Sequence, residues 1–247
     1  MIEAGVFRRP SFTEDLMNKK IVTTVVAAGV VMAVAFAGPA FASTPSTPSK
    51  TPATLASIQA KGAAETAKRV TSLTAALTKS NANKSLSSAD KATIAAHFAA
   101  ASNGEKALGL TIAADTTIAS ARADVNSIYS RYRVYEVVLP QAHIAEVADV
   151  STTGLLAAQT KLTARLAGKD KSKSTPALQA DLADVTSQLA TISSDSTGLS
   201  ASALAVTAAS YNANHSVLTA DRAAAKAIRA AVKKAHADLK TVRTAIK

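Results

Sequence analysis

Four histidines, His97, His143, His215 and His236, are the chain's only imidazoles, and they are scattered. None stands close enough to another to form H-E-x-x-H or a comparable ligand pair. Cysteine is absent, which removes thiolate nucleophiles, thiolate metal sites and disulfides together. Serines are plentiful, yet none sits in a G-x-S-x-G elbow or beside a base that would activate it. Glu146 and Asp149, like Asp181 and Asp184, are three residues apart and would share a helix face. Held across a cleft, such carboxylates act as acid and base; on an open helix they are solvated charges. No phosphate loop, dinucleotide fingerprint or calcium loop is present. The sequence therefore predicts no catalytic residue, no metal site, no cofactor and no small-molecule substrate.

Two groupings remain with binding chemistry. The first is the run Ile128–Gln141, IYSRYRVYEVVLPQ, in which Tyr129, Tyr132 and Tyr135 interleave with Arg131 and Arg133. On a helix, tyrosines three apart form one ridge. Tyrosine and arginine are favoured at binding hot spots and pair with sugars, bases or aromatic peptides. The same residues can instead wedge a helix junction. The second grouping is C-terminal: Arg222, Lys226, Arg229, Lys233, Lys234, Lys240, Arg243 and Lys247 share one segment with two acids. Such a segment attracts anionic polymers such as teichoic acid, extracellular DNA or anionic lipid headgroups. Without interleaved aromatics, that attraction is nonspecific and salt-sensitive.

These side chains need long helices to carry them. Past residue 42 the only aromatics are Phe98, Tyr129, Tyr132, Tyr135 and Tyr211, so the core must be Leu, Ile, Val and much Ala. Thin side chains suit close helix–helix contact. The predicted fold is all-α: an elongated antiparallel helical bundle of coiled-coil hairpins over residues 53–247. A first helix runs over Ala53–Lys79. Ser87-Ser88-Ala89-Asp90 resembles a capping box and opens a second helix, interrupted near Asn103-Gly104. Asp115-Thr116-Thr117 starts a third. Tyr132–Leu139 is ambiguous between strand and helix. Pro140 opens a helix that reaches Leu166, with Gly168 as its stop. Leu178 to Val206 and Leu218 to Ile246 each hold a 3.5-residue apolar period, the coiled-coil pattern. A short connection near Tyr211–His215 makes these two antiparallel. The first carries acids and the second bases, which favours their pairing. Heptad stripes of this kind also zip between chains, so the oligomeric state stays open.

The N-terminal end reads differently. Residues 17–42, MNKKIVTTVVAAGVVMAVAFAGPAFA, have a basic n-region, an apolar run and an Ala-Phe-Ala cleavage signature, the order of a secretory signal peptide. The mature chain would begin near Ser43; an uncleaved leader would be its one contact with the membrane. Residues 1–16, with Glu14 and Asp15 beside the n-region, read as a mis-assigned start or a disordered extension. Arg8-Arg9 lies too far ahead of the apolar run for a twin-arginine signal. Residues 43–52, STPSTPSKTP, form a flexible linker. Beyond residue 42 the chain holds 24 Lys and Arg against 14 Asp and Glu.

The runs Ser88–Lys91, Ile112–Ala142 and Ser174–Ala190 resemble a group of exported, Ala-rich helical proteins of actinobacteria. The resemblance implies a Gram-positive extracellular or cell-wall setting and transfers no activity or site residue. The expected function is that of an exported, non-enzymatic structural or interaction module at the cell envelope, with an envelope protein as partner. The alternative is a binder of anionic wall polymer through the basic C-terminal helix.

Overall fold

In the computed structural model the described residues are 53–150 and 152–247; the predicted leader, linker and N-terminal extension lie outside them. Thr54 starts the first helix, α1 (Leu55–Ala82), by accepting the Ser57 amide on its hydroxyl. The same device, a hydroxyl accepting from the amide three residues on, opens α2 (Ser88–Ala114) at Ser87 and α3 (Ile118–Arg131) at Thr117. Ser87 caps as expected, but Asp90 does not return the bond. The Ser87 amide donates instead to Asp149 (2.6 Å), and Asp90 accepts from Ser200 (2.6 Å).

α1 and α2 pack antiparallel. Gly62 meets Ile112, Thr66 meets Gly109 and Arg69 meets Glu105, so one number rises as the other falls. The expected interruption of α2 at Asn103-Gly104 does not occur. Burial of α2 repeats through Ile94, Phe98, Ala101, Glu105, Leu108 and Ile112, and this packing against α1 carries the helix through the glycine.

Tyr132–Leu139 forms no strand. α3 stops at Tyr132, Arg133 adopts the left-handed conformation (φ 47°, ψ 45°), and Val134–Val138 make a π-helical turn that runs into α4 (Leu139–Ala148). Pro140 explains part of this geometry. It has no N–H to give the Glu136 carbonyl, and that carbonyl accepts from the Arg222 guanidinium at 2.8 Å. The expected single helix from Pro140 to Leu166 is two: α4, then α5 (Thr153–Ala167). Residues 149–153 are Asp, Val, Ser, Thr and Thr, β-branched or able to bond their own backbone, and so a weak helix stretch.

Thr175 caps α6 (Pro176–Ser196). The long heptad helix expected to reach Val206 breaks at Gly198, whose φ of 71° excludes a continuous helix there; α7 (Leu199–Ala205) resumes the apolar register. A short α8 (Ala208–Ala213), with a Thr207–Ser210 capping box, leads to α9 (Thr219–Ala245). α6 and α9 make the most extensive helix pairing, and it is antiparallel: Asp184 pairs with Lys234, while Ser202, beyond α6, bonds Asp221. Asp184–Lys234 is the one ion pair joining α6 and α9 among the described residues. Apolar burial therefore carries this pairing, through Leu182, Val185, Ile192, Ile228, Ala235 and Val242. At about 25 cal/mol per Å² of apolar surface, a seam of this kind outweighs an exposed ion pair worth about 0.2–1 kcal/mol.

The described residues form one all-α compact unit with no strand. Its core has three parts: one among α1, α2 and α3, one where α1, α2, the π turn and α4 meet, and the largest among α4, α5, α6, α7 and α9. No described helix is long and apolar enough to cross a membrane.

Candidate functional site

The tyrosine–arginine run does not present one ridge. Tyr129 lies on α3, Tyr132 at its end and Tyr135 in the π turn. The Tyr129 and Tyr135 rings both face the guanidinium of Arg69, at 4.8 and 5.2 Å from its central carbon. The Tyr135 hydroxyl is 3.1 Å from that of Ser72. Both tyrosines nonetheless remain exposed, at 39 % and 37 % of their surface. Arg69 itself is buried; it donates to Glu65 at 2.7 Å and lies 3.7 Å from Glu105. Glu105 is fully buried, and neither of its oxygens has a hydrogen-bond partner. Burial pushes its carboxyl up to about 7, against the opposing pull of Arg69.

Tyr132 fills the space over Gly104. A Cβ there would stand 2.1 Å from the ring's Cζ. Gly104→Ala is therefore expected to destabilise the fold, although alanine improves the helix by about 1 kcal/mol. Overpacking of this kind costs about 1–3 kcal/mol. Chemical denaturation of Gly104→Ala and of the double variant Gly104→Ala/Tyr132→Ala should show the second substitution largely reversing the first. Equal stability of Gly104→Ala and the parent would remove the wedge argument.

Arg131, at the exposed end of α3, stands 6.0 Å from the Tyr132 centroid. Arg133 donates to the Asn212 side chain at 2.6 Å and lies over the Tyr211 ring, while Asn212 donates back to the Ser130 carbonyl. Four of the five candidate binding residues, Tyr129, Tyr132, Arg133 and Tyr135, thus hold contacts from α1, α2 or α8.

The basic residues of α9 are arranged otherwise. Arg222, Lys226, Arg229, Lys233, His236, Lys240, Arg243 and Lys247 alternate four and three residues apart, and all are exposed. Each follows a seam position by one residue, Asp221 for Arg222 and an apolar residue for the others, so the stripe flanks the buried seam along the helix. From residue 222 to 247 it spans about 37 Å. Its seven Lys and Arg form no ion pair with a carboxylate among the described residues. Lys234, off the stripe, is the exception among the predicted bases: it pairs with Asp184 and Asp238.

Arg69 and Glu105 were not among the candidate residues of the sequence, where His236 stood only as one of four scattered imidazoles. Each has a register signal. Arg69 and Glu105 occupy core positions of α1 and α2, where a charge is out of place, and His236 completes the basic period. No described group of three or more His, Asp and Glu is placed to hold a metal ion. No family model, curated protein or solved structure matches the chain.

Proposed function

We propose that the chain is an exported, non-enzymatic interaction module of the cell envelope, and that it meets anionic polymer through the basic stripe of α9. The observation that carries this reading is the stripe itself: seven exposed cations in a single row, none paired with a carboxylate among the described residues, with mean rise near 5 Å per position. A row of cations facing solvent raises the local concentration of a polyanion and releases its counterions on contact. The tyrosine–arginine run supports this role as structure, since its side chains secure α3 and the π turn against α1, α2 and α8. Export rests on residues 17–42 and on the resemblance to exported actinobacterial proteins.

One experiment tests both parts. Protein recovered from the medium of a Gram-positive host should begin near Ser43. It should bind a single-stranded oligonucleotide with a log–log salt slope of about −3 to −5, as expected when most of the seven cations engage. Lys226→Gln/Lys233→Gln/Lys240→Gln should flatten that slope by about 2, while Lys234→Gln should leave it unchanged. Retention of the full-length chain inside the cell would overturn the export reading. A slope near zero, or a triple variant that binds like the parent, would overturn the polymer reading.

A further inference from the structure

Where α9 passes α4, the basic stripe borders an open groove of about 410 Å³. Leu139, Pro140, Ile144 and Ala225 give it an apolar floor, and Tyr135 forms one wall. Arg222 and Arg229 stand on the side belonging to α9, two helical turns apart. Both guanidinium groups are already held in place. Arg222 is fixed by the Glu136 carbonyl, to which Pro140 has no N–H to donate. Arg229 contacts Nε2 of His143. Each arginine has five N–H donors and uses one in these contacts. Among the described residues neither arginine forms an ion pair with a carboxylate, and Glu146, 3.6 Å from His143, is engaged by Lys79 at 3.3 Å and Ser80 at 3.1 Å.

We propose that this groove is a binding site for a small amphiphilic anion, a phosphate or carboxylate carried on a compact apolar body. The anionic head takes the free donors of Arg229, a planar fork that suits oxyanions, and the positive field of Arg222 adds to it. The apolar body covers Leu139, Pro140 and Ile144. A concave apolar surface with a few convergent polar groups is the form that small-ligand sites take, and the volume falls at the lower end of their usual range of about 300–1,000 Å³. Such an anion is a ligand and undergoes no reaction here. The proposal deepens the reading of α9 as an anion-contacting face, on which it rests for its two arginines, and it adds the apolar requirement that a bare charged stripe does not impose. The same head-and-body chemistry can come from a free metabolite or from the terminal group of a polymer chain.

Calorimetric titration of the whole chain with 1-naphthyl phosphate, 1-naphthol, inorganic phosphate and a polyphosphate separates the groove from the stripe. Naphthyl phosphate should bind at least about tenfold more tightly than naphthol or inorganic phosphate. Arg229→Gln and Leu139→Asn, each checked for folding by circular dichroism, should weaken it by at least about tenfold, the size of one lost charge-assisted contact or one lost apolar contact. Lys240→Gln/Arg243→Gln, on the stripe but outside the groove, should leave naphthyl phosphate binding intact and weaken polyphosphate. Naphthyl phosphate binding no tighter than inorganic phosphate, with polyphosphate bound normally, would overturn the groove and leave the stripe standing. Lost polyphosphate binding with naphthyl phosphate retained would overturn the stripe reading alone. Equal weakening of naphthyl phosphate by Lys240→Gln/Arg243→Gln and Arg229→Gln would reduce the groove to part of a diffuse field.

Discussion

Arg69→Met should lower the stability of the fold by about 3–5 kcal/mol at pH 9 and by about 1–2 kcal/mol at pH 5. Methionine keeps most of the apolar stem that α1 buries, so the difference isolates the guanidinium. At either pH the variant loses the donor to Glu65 and the cation that the Tyr129 and Tyr135 rings face. The extra loss at high pH comes from Glu105. Above pH 7 that carboxyl is ionised, fully buried and without a hydrogen-bond partner, and Arg69 is its counter-charge. At pH 5 it holds a proton and needs no cation. Urea denaturation at the two pH values measures the gap. Arg69→Met/Glu105→Leu should recover much of the loss and show the same stability at both pH values, because replacing both members of a buried pair is far milder than removing one. An equal loss at pH 5 and pH 9 in the single variant would show that Glu105 takes no part.

The helices were legible in the sequence because the signals are local or periodic. Ser87, Thr117 and the apolar rows of α6 and α9 each act within a few residues or repeat along one face. Two of the misplaced readings, Asn103-Gly104 and Tyr132–Leu139, share a cause: the deciding contact lies far away in sequence, whereas the break at Gly198 is local. Asn103-Gly104 reads as a break, and only the ring of Tyr132 explains why a glycine belongs inside a helix. Gly198 interrupts a heptad row that the residues on either side continue. The π turn answers to Pro140 and to an arginine on α9. The same holds for the site. Tyr129, Tyr132 and Tyr135 look like a free ridge in one dimension. In three dimensions, Arg69 from α1 and Gly104 from α2 engage them. The basic residues of α9 needed no such partner, because exposure on one flank of an apolar seam follows from helical period alone. What the period could not show was the groove beside them, which α4 and the π turn build.

The buried carboxyl also sets how stability should change with pH in the parent chain. The Glu105 carboxyl is raised from its unfolded value of 4.5 to about 7 in the folded state. Between those values the folded chain holds a proton that the unfolded chain has released. Stability should therefore fall as pH rises from about 4.5 to about 7 and level off above, by up to about 3 kcal/mol. Glu65 and Asp170 work in the opposite sense: hydrogen bonds from Arg69 and Arg165 hold both below their usual values. Their stabilisation is present above their unfolded values of 4.5 and 3.8 and drains away as acid protonates them. The two trends meet near pH 4.5, so these three groups together favour the acidic side of neutral. Glu105→Gln keeps the shape and removes the charge, so it should flatten the limb between pH 4.5 and 7 and leave the acid limb alone. Denaturation midpoints collected from pH 3 to 9 on parent and variant test this. A parent profile that rises steadily from pH 4.5 to 7 would mean that Glu105 is ionised and accommodated in the fold, and that the cluster around Arg69 is a settled ion pair instead of a proton store.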